Sequence, residues 1–256
     1  MSDGMNITEY LARGGKLTSP RNVPPRYRAE LMRIMASFVD SELAGAAGFA
    51  DIINDGPGIK ARIAAARIVL EKTDHAERIL QLLGAFGADT ERYAAHHPWT
   101  DRLDRDAPLG AERGRADMRL AVFNYPLDGW TDAVTMNLLM GTAMGVQLAE
   151  YADMSYQPMA EALRDIAPRE ARHAELAEEG LAHITADQGQ AAQIGESLTY
   201  WWPRVASSFG NETSKRFDTL RAMGLRKVDN AALRRQWGEE AKAALKRLGL
   251  AAPADA

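Results

Sequence analysis

Cysteine is absent from the 256 residues, which excludes disulfides, thiolate nucleophiles and zinc-thiolate sites and leaves no mark of an oxidising compartment. A cytoplasmic address is the default expectation. An excess of charge of one sign is missing too: 31 basic and 35 acidic residues leave a net charge of −4, so nothing favours a phosphate backbone as a partner. No nucleic-acid role is expected. The first 22 residues mix Gly, Ser, Arg and Lys without an apolar core. This excludes a signal peptide or membrane span there and predicts a loose arm over residues 1–22. Period-two alternation is absent as well, so no strand is predicted.

What the sequence does contain is helical periodicity. Apolar residues recur at Leu31, Met35, Phe38 and Phe49 after Pro25, a residue suited to a first helical turn, and predict a first helix from Pro25 to about Ala50. A second long amphipathic run spans Gly58 to Phe86 and ends among glycines. Residues 96–117, broken by Pro98, Pro108, Gly110 and Gly114, read as a long surface loop. Trp130 to Tyr151 is apolar on nearly every side but too short and interrupted for a membrane span, so it predicts a central buried helix. A fourth helix is expected over Pro158 to Ile184, a fifth over Gln188 to Phe209, and an amphipathic C-terminal one from about Asn230 to Leu248. Long helices without a sheet make an all-α bundle the natural architecture.

Several polar residues fall on the faces that such a bundle buries. Glu42 lies four residues after Phe38 and seven after Met35, on the apolar stripe of the first helix. A buried carboxylate must be protonated, paired with a cation or bound to a metal, whereas a helix-face glutamate that reaches solvent needs none of these. On the second helix Ala65, Ile68, Val69, Ala76, Ile79, Leu82 and Leu83 form one arc, interrupted by Lys72 and His75. His75 alone suits a satisfied core histidine, Lys72 alone can snorkel to solvent, and Glu71, at the rim beside Arg67 and Arg78, suits a surface ion pair. The fourth helix carries Leu163, Ile166, Glu170, His173, Ala177 and Leu181 on one face. Glu170 and His173 form a Glu-x-x-His pair, the spacing that sets a carboxylate and an imidazole side by side in metal-binding bundles.

The motifs VPPRYRAELMR at Val23 to Arg33, DSE at Asp40 to Glu42, VFNYP at Val122 to Pro126, MSYQP at Met154 to Pro158, EARH at Glu170 to His173 and YWWP at Tyr200 to Pro203 complete the pattern. With these landmarks the sequence from Val23 to Pro253 resembles the phenylacetate catabolic family, in particular the large, diiron-carrying subunit of bacterial phenylacetyl-CoA epoxidase. The resemblance implies a ferritin-like bundle with extra C-terminal helices, forming one domain over residues 23–253. It also implies a multicomponent monooxygenase acting on an aromatic acyl-CoA, fed with electrons by a reductase and paired with a second ferritin-like subunit or with itself. Its ligand pattern is a glutamate from one helix, a Glu-x-x-His from the next, an acidic residue from the third and a second Glu-x-x-His from the fourth. Glu42, His75, Glu170 and His173 match that pattern as metal ligands.

Two positions depart from it. The glutamate expected three residues before His75 is Lys72, and the carboxylate expected on the third helix, counted without gaps back from MSYQP, is Gly141. Two carboxylates, two imidazoles and an added ammonium do not balance two ferrous ions, because an ammonium beside a divalent ion in a low-dielectric core repels it or loses its proton. Lys72 can instead neutralise Glu42 and Glu170 as a buried ion network. Pro168, two residues before Glu170, is expected to disturb the fourth helix. Iron is therefore expected as two ions by resemblance, or as one or none given the departures. Three readings follow: a metal-poor structural or regulatory relative, an oxygenase with a divergent metal centre, and a helical binding module whose inward polar residues form only a core network.

Overall fold

The computed structural model describes residues 7–111, 117–186 and 191–254. Among the described residues nine α-helices run in chain order: α1 (Ile7–Ala12), α2 (Pro25–Ile52), α3 (Gly58–Ala85), α4 (Thr90–His96), α5 (Gly129–Tyr151), α6 (Gln157–Thr185), α7 (Ala191–Ser207), α8 (Lys215–Ala222) and α9 (Asn230–Arg247). Among the described residues there is no strand, only one isolated bridge between Leu17 and Tyr156. Local chemistry sets the helix ends. Pro24 and Pro25 open α2, Gly87 closes α3 in the left-handed conformation, and the Asp229 side chain accepts from the Ala232 amide at 2.7 Å to cap α9.

Four of these helices make the bundle. The short α2–α3 and α5–α6 connections produce two antiparallel pairs, and contacts of α3 with α6 and of α2 with α5 close them around one core. The long crossover from α3 to α5 carries α4 and the FNYP turn. This all-α, ferritin-like arrangement is extended by α7 and α9, which pack on the outer side of α5. That sandwiching explains why α5 is buried on nearly every side, as its composition predicts. No helix among the described residues is long and apolar enough to cross a membrane.

The α5–α7 seam is tied by Asp132, which is almost fully buried. Its carboxylate accepts from both Nη atoms of Arg105 at 2.8 and 3.0 Å, from Ser197 Oγ at 2.8 Å and from Trp201 Nε1 at 2.9 Å. YWWP is thus a packing and anchoring motif: Tyr200 stacks under Arg105, whose Cζ lies 4.0 Å from the ring centroid. A second acidic anchor, Asp40 of DSE, holds the crossover to α2 by accepting from Tyr93 Oη, Trp99 Nε1 and the Met118 amide at 2.7, 3.4 and 2.7 Å.

Two expectations need correction, and a third gains a detail. The arm of residues 1–22 is docked rather than loose from Ile7 to Leu17, because Leu17 exchanges backbone hydrogen bonds with Ser155 and Gln157 at 2.7 and 2.9 Å and Leu11 is buried. Residues 1–6, and residues 188–190 at the expected start of the fifth helix, lie outside the described residues. The loop of residues 96–117 is irregular as expected, yet Arg119 fastens it from within by donating to the carbonyls of Pro98, Trp99 and Asp101. Residues 112–116 of that loop are also outside the described residues. Pro168 leaves α6 continuous because it sits on the exposed face, where the carbonyl it deprives of a donor meets water.

Asp132→Ala is expected to lower stability by about 2–4 kcal/mol, because Trp201 and Ser197 keep buried donors without an acceptor. Urea unfolding followed by tryptophan fluorescence measures it.

Candidate functional site

Each inward polar residue read from the sequence is delivered to one place at the middle of the bundle. Glu42 comes from α2, Lys72 and His75 from α3, and Glu170 and His173 from α6, all at 6% exposure or less. Their helices bury them because each occupies the position that an apolar residue would take in its stripe. Leu163, Ile166, Glu170, His173, Ala177 and Leu181 are all buried on α6, the same face the spacing predicts.

Lys72 Nζ stands at the centre. It donates to Glu42 Oε1 at 3.0 Å and to Glu170 Oε1 and Oε2 at 3.1 Å each. His75 Nδ1 lies 3.2 Å from Glu42 Oε2 and 3.0 Å from Glu170 Oε1, so the same two carboxylates are bridged twice. The Lys72 stem passes Gly45 of α2, where a Cβ would lie 3.4 Å from Lys72 Cδ, in ordinary contact. Burial alone would lower the Lys72 pKa, but the charges of Glu170 and Glu42 outweigh it and hold the ammonium above its ordinary value. Burial would likewise lower the His75 value, and hydrogen bonds to Glu170 and Glu42 raise it instead. Burial would raise that of Glu170, yet Lys72 and the two histidines hold its carboxyl well below the usual range. The ammonium is therefore the counter-charge of two desolvated carboxylates.

His173 is placed differently. Its Nε2 lies 2.7 Å from Glu71 Oε2, and this carboxylate holds the ring with Nδ1 turned inward. That Nδ1 is buried and sits 3.2 Å from Glu170 Oε1. A carboxylate steering an imidazole so that its other nitrogen faces inward is the usual supporting arrangement of a metal-ligating histidine. Glu71 thus belongs to the site rather than to a surface pair. Arg78, its supposed neighbour, pairs with Asp165 at 2.9 Å. Nothing in the spacing along α3 marks Glu71, because its partner belongs to α6. His75 Nε2 is also buried without a hydrogen-bond partner.

Gly141 faces the site from α5 and lines, with Lys72, Glu170 and Met140, a cavity of about 30 Å³, room for a water or two. A Cβ at Gly141 would come within 2.9 Å of Ala174 Cβ. The helices α5 and α6 are therefore too close for any side chain at Gly141, and no carboxylate fits at that position. Ligand atoms of Glu42, His75 and Glu170 lie within 4.8 Å of one another, close enough to hold one metal ion. Two irons do not fit the residues present. An ammonium occupies the space between the carboxylates, the third helix offers no ligand, and two carboxylates leave two divalent ions largely uncompensated.

An all-α ferritin-like bundle with a carboxylate and histidine cluster at its centre defines the class of protein. The chain belongs to the family described as phenylacetic acid catabolic protein, whose model matches residues 8–256. No curated protein matches it.

Lys72→Met is expected to cost about 3–5 kcal/mol near neutral pH, since it strands two buried carboxylates. The loss should shrink at about pH 5, because without the ammonium the carboxyl pKa values rise and one group takes up a proton. Denaturant titrations at the two pH values check both the size and the trend.

Proposed function

We infer that this chain is a metal-poor member of its family, a structural or regulatory component of aerobic aromatic acyl-CoA breakdown rather than the oxygen-activating subunit. The observation that carries this reading is the position of Lys72 Nζ, within 3.1 Å of both Glu42 and Glu170. There the ammonium supplies the positive charge that a metal would supply. Gly141 supports the reading independently, because the backbone has closed over the place of a third-helix ligand. The reading treats residues 23–253 as one working domain in the cytoplasm.

A second reading is favoured by one observation, the inward turn of His173, whose Nε2 is held by Glu71 while Nδ1 lies 3.2 Å from Glu170 Oε1. In it a single iron displaces the Lys72 ammonium and is held by Glu42, His75, Glu170 and His173. The chain would then be a divergent non-haem iron monooxygenase on an acyl-CoA or another small acyl substrate, with electrons from a reductase.

Either reading includes association with a second ferritin-like subunit, a homologue or another copy. Support comes from α3, where Ile59, Ile63 and Leu70 are 77%, 56% and 71% exposed and, with Ala66, follow the i, i+4, i+7, i+11 spacing of one helix face. An apolar stripe of this kind is characteristic of an interface.

Two experiments follow. Lys72→Glu should be less stable than wild type by roughly 3–5 kcal/mol without metal, and ferrous ion should raise the melting temperature of the variant while leaving wild type unmoved. Stoichiometric iron binding by wild type, with stability and affinity unchanged in Lys72→Glu, would decide for the second reading. For the partner, Ile63→Arg combined with Leu70→Arg should abolish association seen by light scattering, alone or with the products of neighbouring genes. Because the chain has no cysteine, Ala66→Cys forms a disulfide-linked dimer only where two copies meet across α3. A clean monomer at micromolar concentration under all these conditions contradicts the association.

A further inference from the structure

A larger cavity of about 240 Å³ lies beside the buried centre, between α2, α5, α6, α8 and the start of α9. Its wall is largely apolar, with Phe38, Leu148, Leu163 and Leu220 among the lining residues, and Met118, Met144 and Met159 also line it. Ser37, Ser41, Ser208 and Glu150 are among its polar lining residues, and two further polar groups bear on a ligand. Gln147 lines it, and its amide nitrogen is buried with no hydrogen-bond partner. Arg33 at the rim is exposed and makes no hydrogen bond or ion pair among the described residues. The other two rim arginines are occupied, Arg216 by Glu30 and Arg226 by Glu150. Three guanidinium groups against two carboxylates leave one positive charge uncompensated, in a protein whose overall charge is −4.

We propose that this cavity is a binding site for amphipathic monocarboxylates. The carboxylate brings the one negative charge that Arg33 lacks and an acceptor for the Gln147 amide, and the apolar body fills the space behind. A dry cavity of about 150 Å³ accommodates benzene, so 240 Å³ takes a ring with a short side chain or an alkyl chain of about eight carbons. Three methionines in the wall make it tolerant of the body's shape, since unbranched thioether side chains repack easily. Recognition therefore rests on the head group. Met144 lines both this cavity and the small one at Lys72 and Glu170, so a bound ligand lies one side chain away from the ion network. The site requires no metal at the centre and stands apart from the choice between the two functional readings.

Calorimetric titration of the full-length protein with octanoate and with octan-1-ol tests it. Octanoate is expected to bind, octan-1-ol at least tenfold more weakly. Arg33→Glu, a change at an exposed position, should weaken octanoate by tenfold or more and leave octan-1-ol unchanged. Gln147→Leu, checked for an unaltered melting curve, should weaken octanoate several-fold. Equal binding of the acid and the alcohol, no binding of octanoate at millimolar concentration, or octanoate binding indifferent to Arg33→Glu would each overturn the proposal.

Discussion

The three hydrogen bonds from Lys72 Nζ to Glu42 and Glu170 are the interaction on which the middle of this bundle depends. Three of the four bundle helices meet there through charged groups with almost no access to water. An ion network in that position contributes little net stability, because desolvation offsets most of the attraction, but losing one member is costly. The consequence is specificity of arrangement. Only one register of α2, α3 and α6 brings an ammonium between two carboxylates, and His75 reinforces it by approaching the same two groups.

The fourth bundle helix contributes by omission. Gly141 lets α5 approach α6 until its Cα side touches Ala174, and Asn137 one turn earlier donates to the His173 carbonyl at 3.1 Å. At Gly141, where the resemblance would place a carboxylate, this chain has backbone contact. In the metal-poor reading the two positions act together: an ammonium in the centre removes the need for further negative charge, and a glycine removes the means of providing it. Glu71 and His173 nevertheless keep the orientation suited to a metal ligand.

Helix positions and inward faces were legible because burial of one stripe imposes a period of 3.6 residues, and Leu163, Ile166, Glu170 and His173 display it plainly. Convergence of Glu42, Lys72, His75, Glu170 and His173 followed from the same rule. The partners of Asp40, Asp132 and Glu71 were not legible, since each bonds to residues remote in sequence, which periodicity along its own helix does not mark. The short helices α1, α4 and α8 have too few turns to show a period. The docking of Leu17 onto MSYQP uses backbone groups, which carry no sequence signal. Gly141 was identified as a missing ligand, but the helix contact that fills its place depends on three-dimensional proximity.

The central claim is that an ammonium ion stands where the family's metal pattern would place positive charge. Elemental analysis of wild-type protein, purified without chelator after growth with added iron, tests this most directly. The account predicts far less than one iron, or any other transition metal, per chain. One or two tightly held metal ions per chain, lost with changes at Glu42 or His173, would contradict it.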